Sequence, residues 1–215
     1  MNKVSVSILD CDFNNLEYEI NRINRSSADL IHIDIMDGVF VKRNTYDLFD
    51  MKTISNLSNK NLDVHLMVDN PETIIDDYIL DKTEFIAIHA ESKCDHFKIF
   101  DKLKSNNIKS GIAINPDTDL IALEKYLDYI DMILVMSVYP GKGGQKFIPN
   151  TINRLISIKK LLIKKSKNIK LSVDGGVDDT VSSKLIESGS NILVSGSFLI
   201  KSISLKDSIK SLLKA

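Results

Sequence analysis

The 215-residue sequence predicts a single-domain (β/α)8 barrel over residues 1–215, an α/β fold of parallel strands closed on itself. Three observations predict it. Short apolar runs with strand periodicity alternate eight times with stretches of helical periodicity, the order that builds a parallel sheet. Eight units in this length leave about 27 residues for each, so every connection is near minimal and little chain remains to protect the edges of the alternative, an open doubly wound sheet. Finally, polar residues break the apolar runs near their C-terminal ends, where barrels of this kind carry their chemistry.

In chain order, residues 4–9 read as the first strand, and Phe13, Leu16, Ile20 and Ile23 recur at helical spacing after it. The second strand, residues 30–36, places Ile31, Ile33 and Ile35 on one face and His32, Asp34 and Met36 on the other. A weaker helical pattern over residues 46–57 follows a polar turn at Lys42, Arg43 and Asn44. Residues 63–68 repeat the layout of the second strand, with His65 and Met67 sharing a face. The helix expected next has Asn70 as N-cap, Pro71 at its first position and Ile74, Ile75, Tyr78 and Ile79 as its apolar stripe.

Residues 85–89 form a fourth strand, with Phe97, Phe100 and Leu103 marking its helix. A fifth strand over 110–114 ends in Asn115 and Pro116, and Thr118 or Asp119 caps a helix striped by Leu120, Leu123 and Leu127. The sixth, 132–138, opens into a glycine-rich stretch before a longer helix carrying Ile152, Leu155, Ile156, Ile158 and Leu162. The seventh, 169–173, runs into Asp174, Gly175, Gly176 and Val177, with a helix around Val181, Leu185 and Ile186. The eighth, 192–195, is followed by Gly196, Ser197 and a terminal helix with Leu205, Ile209 and Leu212.

Composition narrows the function classes. With 28 basic and 29 acidic residues the net charge is -1, which implies no general attraction to nucleic acid or to an anionic membrane. Any phosphate binding must be local. Cys11 and Cys94 have neither CxxC nor zinc spacing and read as reduced structural thiols. The N-terminus runs directly into a strand pattern without a signal-type apolar region, and no later run is long enough to cross a membrane, so a cytoplasmic protein is expected.

An imidazole and a carboxylate two residues apart on an inner strand face cost on the order of several kcal/mol in desolvation unless paired. Alone, His32 and Asp34 read equally as core residues that satisfy each other. With His65 late in the third strand and Asp174 ending the seventh, they make a mixed nitrogen and oxygen set suited to Zn²⁺, Mn²⁺ or Fe²⁺ and poorly suited to Ca²⁺. Gly175 and Gly176, and Gly196 with Ser197, put unhindered backbone N–H groups near helix starts, where barrels commonly hold phosphate. Gly141, Lys142, Gly143 and Gly144 fit neither a Walker loop nor a dinucleotide fingerprint, because Met136, Gly143 and Lys146 stand at the wrong places. A mobile lid over a small substrate fits them better. Met36, Met67 and Met136 read as core, His89 as a polar strand end near the site and His96 as a surface residue.

Ser7-Ile8-Leu9 with Asp12-Phe13, the run from His32 to Gly38 with Phe40-Val41, the run from Asp63 to Val68, Val135-Met136-Ser137-Val138 with Pro140-Gly141 and Gly143-Gly144-Gln145, and the run from Val173 to Val177 together resemble the ribulose-phosphate 3-epimerase family. The resemblance covers nearly the whole chain in order. It implies a (β/α)8 barrel that interconverts D-ribulose 5-phosphate and D-xylulose 5-phosphate in the pentose phosphate pathway. By the same resemblance His32, Asp34, His65 and Asp174 hold one divalent metal ion per subunit, with no organic cofactor. Asp34 and Asp174 are the implied acid/base pair on opposite sides of C3. Ser7 and His65 lie against the substrate, and Gly141, Lys142, Gly143, Gly144, Asp174, Gly175, Gly176, Gly196 and Ser197 position the sugar phosphate. The three methionines match ones that line the family's site. Homo-oligomers are common in the family.

The chain departs from the family pattern at Val6, Asp10, Lys42, Arg43, Tyr139 and Lys142, none of which removes a ligand or a proposed base. Lys142 sets a cation in the lid. Two rival functions stand beside the first. One is a sister epimerase acting on allulose 6-phosphate, and the other a sugar-phosphate-binding barrel without catalysis, whose expected mark is loss of a ligand or of either aspartate.

Overall fold

Eight parallel strands close into a ring in the computed structural model, which describes residues 2–214. They are β1 (Lys3–Ser7), β2 (Leu30–Met36), β3 (Asn61–Met67), β4 (Thr83–His89), β5 (Lys109–Ile114), β6 (Met132–Met136), β7 (Lys170–Asp174) and β8 (Ile192–Ser195). Each pairs with the next in sequence, and β8 pairs with β1, so the barrel has no free edge and the open-sheet alternative is excluded. Outside the ring run α1 (Leu16–Asn24), α2 (Met51–Leu57), α3 (His96–Ser105), α4 (Thr151–Lys164), α5 (Ser182–Glu187), α6 (Ser197–Ile200) and α7 (Leu205–Leu212).

The period-two alternation divides the core. Ile31, Ile33, Ile35, Val64 and Leu66 point outward and join Ile20, Ile54, Leu155 and Ile209 of the helices in one cluster. Each such fully buried side chain contributes roughly 1.5–3 kcal/mol from leaving water. Inside the ring, Leu30, Phe85, Met132 and Ile192 belong to a second apolar cluster. Above them the inward positions of β2 and β3 turn polar.

Several connections are tighter than their helical periodicity predicts. The segment after β3 forms two 3₁₀ turns, Pro71–Thr73 and Ile75–Tyr78, in place of an α-helix. Asn70 caps it as expected, accepting from the Glu72 N–H at 3.2 Å. The turns are separated by Ile74, at φ −129° and ψ −8°, within a run of β-branched residues that fits a helix poorly. Asp119, not Thr118, caps the segment after β5, which is 3₁₀ over Leu120–Tyr126. The 46–57 pattern splits into a 3₁₀ turn, Tyr46–Leu48, and α2, because the Asp50 carboxylate accepts from the N–H groups of Lys52 and Thr53 and starts a new helix there. β1 ends at Ser7, and Ile8 enters a turn by accepting from the Cys11 N–H at 3.1 Å.

His96 corrects an expectation. It is buried, because it opens the inward stripe that α3 continues with Ile99, Phe100 and Leu103, and its Nε2 lies 2.9 Å from the His89 carbonyl oxygen. Both cysteines are free thiols, and burial pushes the Cys11 thiol up to about 12, far from a reactive thiolate. Among the described residues no helix is long and apolar enough to cross a membrane.

Candidate active site

The C-terminal mouth of the barrel opens into a cavity of about 710 Å³, with Ser7, Asp34 and Asp174 and the methionines Met36, Met67 and Met136 on its walls. Strand pairing dictates what meets there. In the β2–β3 register Asp34 stands opposite His65 and His32 opposite Asp63, while the β6–β7 register sets Met136 opposite Asp174. The end of β2 is pinned by Thr45, whose hydroxyl donates to the Asp34 carbonyl and accepts from the Met36 N–H, both at 2.9 Å. The end of β7 is pinned by Ser137, which donates to the carbonyl oxygens of Asp174 and Gly175 at 2.8 and 2.6 Å.

His32, Asp34, His65 and Asp174 converge, each offering one ligand atom, and these atoms all lie within 4.8 Å of one another. The protons around them can be assigned from their partners. His32 Nδ1 lies 2.8 Å from the fully buried Asp63 carboxylate, which accepts its proton. That leaves Nε2 buried and without a hydrogen-bond partner, 3.3 Å from Asp34 Oδ1 and 3.8 Å from Asp174 Oδ2. His65 Nδ1 is likewise 3.2 Å from Asp34 Oδ1 and 3.8 Å from Asp174 Oδ2. Two ring nitrogens aimed at two carboxylates form a cage of electron pairs, and a cation at its centre is what balances them.

The electrostatics agree. Burial disfavours an imidazolium at His32, yet Asp34 and Asp63 overcome it and raise its proton affinity well above the ordinary value. A field that draws a proton so strongly draws a metal ion by the same charges. Burial also opposes ionisation of Asp34, but the flanking His32 and His65 hold its carboxyl well below the usual range. Asp174 is pushed up to about 7, first by burial and then by the Asp34 charge. Two carboxylates sharing one pocket are thus driven apart in acidity, as acid/base pairs are. Burial lowers both His65 and His89, the latter to about 4, so each is a neutral imidazole. The donor set fits a divalent cation of the Zn²⁺, Mn²⁺ or Fe²⁺ class.

Each residue expected to bind substrate has a definite place. Ser7, Gly141, Lys142, Gly143, Gly144, Gly175, Gly176, Gly196 and Ser197 all line the one cavity with Asp34 and Asp174. Ser7 donates to Asp34 Oδ2 at 2.8 Å. His65 is placed differently. It is fully buried, held between Asp34 and His89, and takes no part in the cavity wall.

The stretch after β6 lies across the mouth. A Cβ on Gly141 would approach Val41 to 3.0 Å, and one on Gly143 would meet the Asp10 carboxylate at 2.3 Å, so a larger residue at 143 would require that side chain to turn away. The stretch is closed at its base, where the Ile148 N–H donates to the Ser137 carbonyl at 2.9 Å. Within it, the Gln145 amide donates to the carbonyls of Tyr139 and Lys142 at 2.7 and 2.8 Å. Beneath it, Gly176 at φ +62° leaves space that a Cβ would fill to within 2.6 Å of the Phe147 nitrogen.

The model of the ribulose-phosphate 3-epimerase family matches residues 3–200 of the chain. The chain belongs to the ribulose-phosphate 3-epimerase family. It is therefore an enzyme of the isomerase class. A ribulose-phosphate 3-epimerase of Bacillus subtilis is 36% identical over 199 residues, covering 92% of this chain and 91% of its own. A chloroplastic ribulose-5-phosphate-3-epimerase of Arabidopsis thaliana is 35% identical, over 97% of this chain and 75% of its own. An epimerase of the family from Methanocaldococcus jannaschii is 32% identical over 100% of this chain and 91% of its own. The fold is shared more widely. A 3-hexulose-6-phosphate synthase superposes with a TM-score of 0.71 at 11% identity, over 98% of this chain and 97% of its own.

The epimerase family and the four converging side chains together make this a candidate divalent-metal site. Four further residues support it that sequence periodicity did not single out. Asp63 holds His32, Thr45 holds the end of β2, Ser137 holds the end of β7, and Glu91 holds His89. Asp63 carried the one readable signal, a carboxylate two residues before His65 on the same strand face.

Proposed function

We propose that the chain interconverts D-ribulose 5-phosphate and D-xylulose 5-phosphate by moving the proton at C3, with Asp34 and Asp174 as the opposed acid and base. The observation that carries this reading is the pair of carboxylates lining one cavity, on strands separated by β8 and β1, and driven apart in acidity. Inverting a carbon beside a ketone requires removing a proton from one face and returning one to the other. A single base would restore the configuration it started from. Two carboxylates on separated strands supply a group for each face, and their roles exchange with the direction of the reaction.

His32, Asp34, His65 and Asp174 would hold the metal ion. Bound there, a divalent cation would supply the positive charge that stabilises negative charge developing on the substrate as the C3 proton leaves. Asp63 keeps the His32 ring turned so that Nε2 faces the cluster. Ser7 keeps Asp34 in place through its hydroxyl and lies within reach of the substrate. Gly196 and Ser197, at the start of α6 where amides have no partner within the helix, receive the phosphate together with Gly175 and Gly176, which line the same cavity after β7. The glycine-rich stretch with Lys142 acts as the lid that excludes water.

The test is deuterium incorporation at C3 from D₂O into ribulose 5-phosphate and, in parallel, allulose 6-phosphate, with the zinc-loaded, iron-loaded and manganese-loaded protein and Asp174→Asn as control. Exchange and epimer formation that are faster with ribulose 5-phosphate and vanish in the control are expected. Faster exchange with allulose 6-phosphate would transfer the assignment to the six-carbon substrate. Binding of sugar phosphate without exchange of either would sink the catalytic reading.

A further inference from the structure

Beyond the four converging side chains, a line of hydrogen bonds runs from the buried His65 through the buried His89 to Glu91 at the protein surface. His65 Nε2 lies 2.8 Å from His89 Nε2, and His89 Nδ1 lies 3.1 Å from Glu91 Oε2. The other Glu91 oxygen accepts from the Asn115 N–H at 3.1 Å and from the Thr118 hydroxyl. Asn115 and Thr118 are themselves gripped by Arg154 of α4, which donates to their carbonyls at 3.1 and 2.8 Å. His89 is fully buried, and the Phe40 ring lies over it at 4.7 Å.

From the Glu91 end, the line has one consistent arrangement of protons. Two ring nitrogens 2.8 Å apart must share a single proton, one donating and the other accepting. A carboxylate already taking two hydrogen bonds on one oxygen is an acceptor at the other as well, so His89 Nδ1 carries the proton on that side. His89 Nε2 is then an electron pair, and His65 Nε2 must donate to it. With its proton committed there, His65 Nδ1 is bare, and Nδ1 is the nitrogen that faces Asp34 and Asp174. The reverse arrangement would give His65 Nδ1 a proton for Asp34 Oδ1 at 3.2 Å, but it would set the His89 Nδ1 electron pair against the Glu91 carboxylate at 3.1 Å, where, among the described residues, no cation site lies to separate them.

We propose that His89 and Glu91 are positioning residues for the metal centre, which by keeping the proton on His65 Nε2 hold His65 Nδ1 free and aimed as a metal ligand before any ion arrives. The proposal rests on the reading of His32, Asp34, His65 and Asp174 as that centre. Glu91→Gln is the informative substitution. The Asn115 N–H and the Thr118 hydroxyl need an acceptor, so the Gln carbonyl turns toward them and its NH₂ toward His89. Every donor and acceptor along the line then reverses, and His65 Nδ1 gains a proton where the ligand electron pair belongs.

The experiment reads zinc affinity by competition with a chromophoric chelator, and the His65 tautomer by two-bond ¹H–¹⁵N correlation on the metal-free protein. Thermal melting shows that each variant folds. The wild type is expected to carry the His65 proton on Nε2, and Glu91→Gln to carry it on Nδ1 and to bind zinc about 10–100-fold more weakly. His89→Gln, whose carbonyl still accepts from His65 Nε2, is expected to recover most of that affinity. Unchanged zinc affinity in a folded Glu91→Gln protein overturns the proposal. So does a neutral His65 protonated on Nδ1 in the wild type, which decides the matter even where the variant fails to fold. A wild type that holds its proton on Nε2 but binds no zinc overturns the metal-centre reading instead.

Discussion

On β1, β2 and β3 the inward positions carry Ser5, Ser7, His32, Asp34, Asp63 and His65, whereas on β5, β6 and β8 they carry Ala113, Met132, Leu134, Met136, Ile192 and Val194. Both sides are buried in the same ring, yet one is held by hydrogen bonds and the other by packing. On the polar side the groups lean on one another. Ser5 donates to Asp63 at 3.0 Å, Asp63 accepts from His32, and Ser7 donates to Asp34. Each is satisfied only while its neighbour stays in register, so an error is expensive there. The apolar side asks only for volume. It gives the polar side a rigid, dry wall, against which Asp174 projects from β7.

The sharpest way to break this division is Asp34→Asn, which alters the group that Ser7, His32 and His65 all face. We expect kcat to fall by about 10²–10⁴-fold with the fold retained, as read by steady-state rates beside circular dichroism. A variant with near-wild-type turnover would mean that the polar side is structural only. Leu134→Ala tests the other side. Its fully buried side chain leaves a cavity in the wall, and urea unfolding should show a loss of about 2–5 kcal/mol while zinc affinity stays unchanged. If zinc affinity falls with stability, the two sides are not separable. Asp63→Asn sharpens the comparison within the polar side. It removes the charge that holds the His32 proton, and chelator competition should show zinc bound about 10–100-fold more weakly in a protein that circular dichroism shows to be folded.

How much of this was legible in the sequence depended on whether a residue's partner lay on its own strand. The alternation in β2 was enough to put His32, Asp34 and Met36 on the inner face and the isoleucines outside, because a period of two needs no knowledge of the neighbouring strand. Asp63 shows the limit. Its role comes from His32, which stands opposite it by β2–β3 register, and register is not written in either strand alone. Glu91 lies two residues beyond β4 and reads as an ordinary loop acid until His89 is seen to be buried beneath Phe40. The connections after β3 and β5 carry helical stripes, yet they fold as 3₁₀ turns. Periodicity reports which residues face inward and is nearly blind to how tightly the backbone winds.

The bond between Ile148 and Ser137 gives the glycine-rich stretch a mechanical character of its own. A chain tethered at both ends of a gap flaps and samples many shapes, and each closure has to freeze them out. Here the two feet already touch, and Gln145 braces the span from within. The segment is therefore a braced span on one narrow joint rather than a slack rope. The foot of that joint, Ser137, also clasps the backbone that carries Asp174. One side chain thus ties the foot of this stretch to the strand end that bears Asp174, so a shift of either reaches the other.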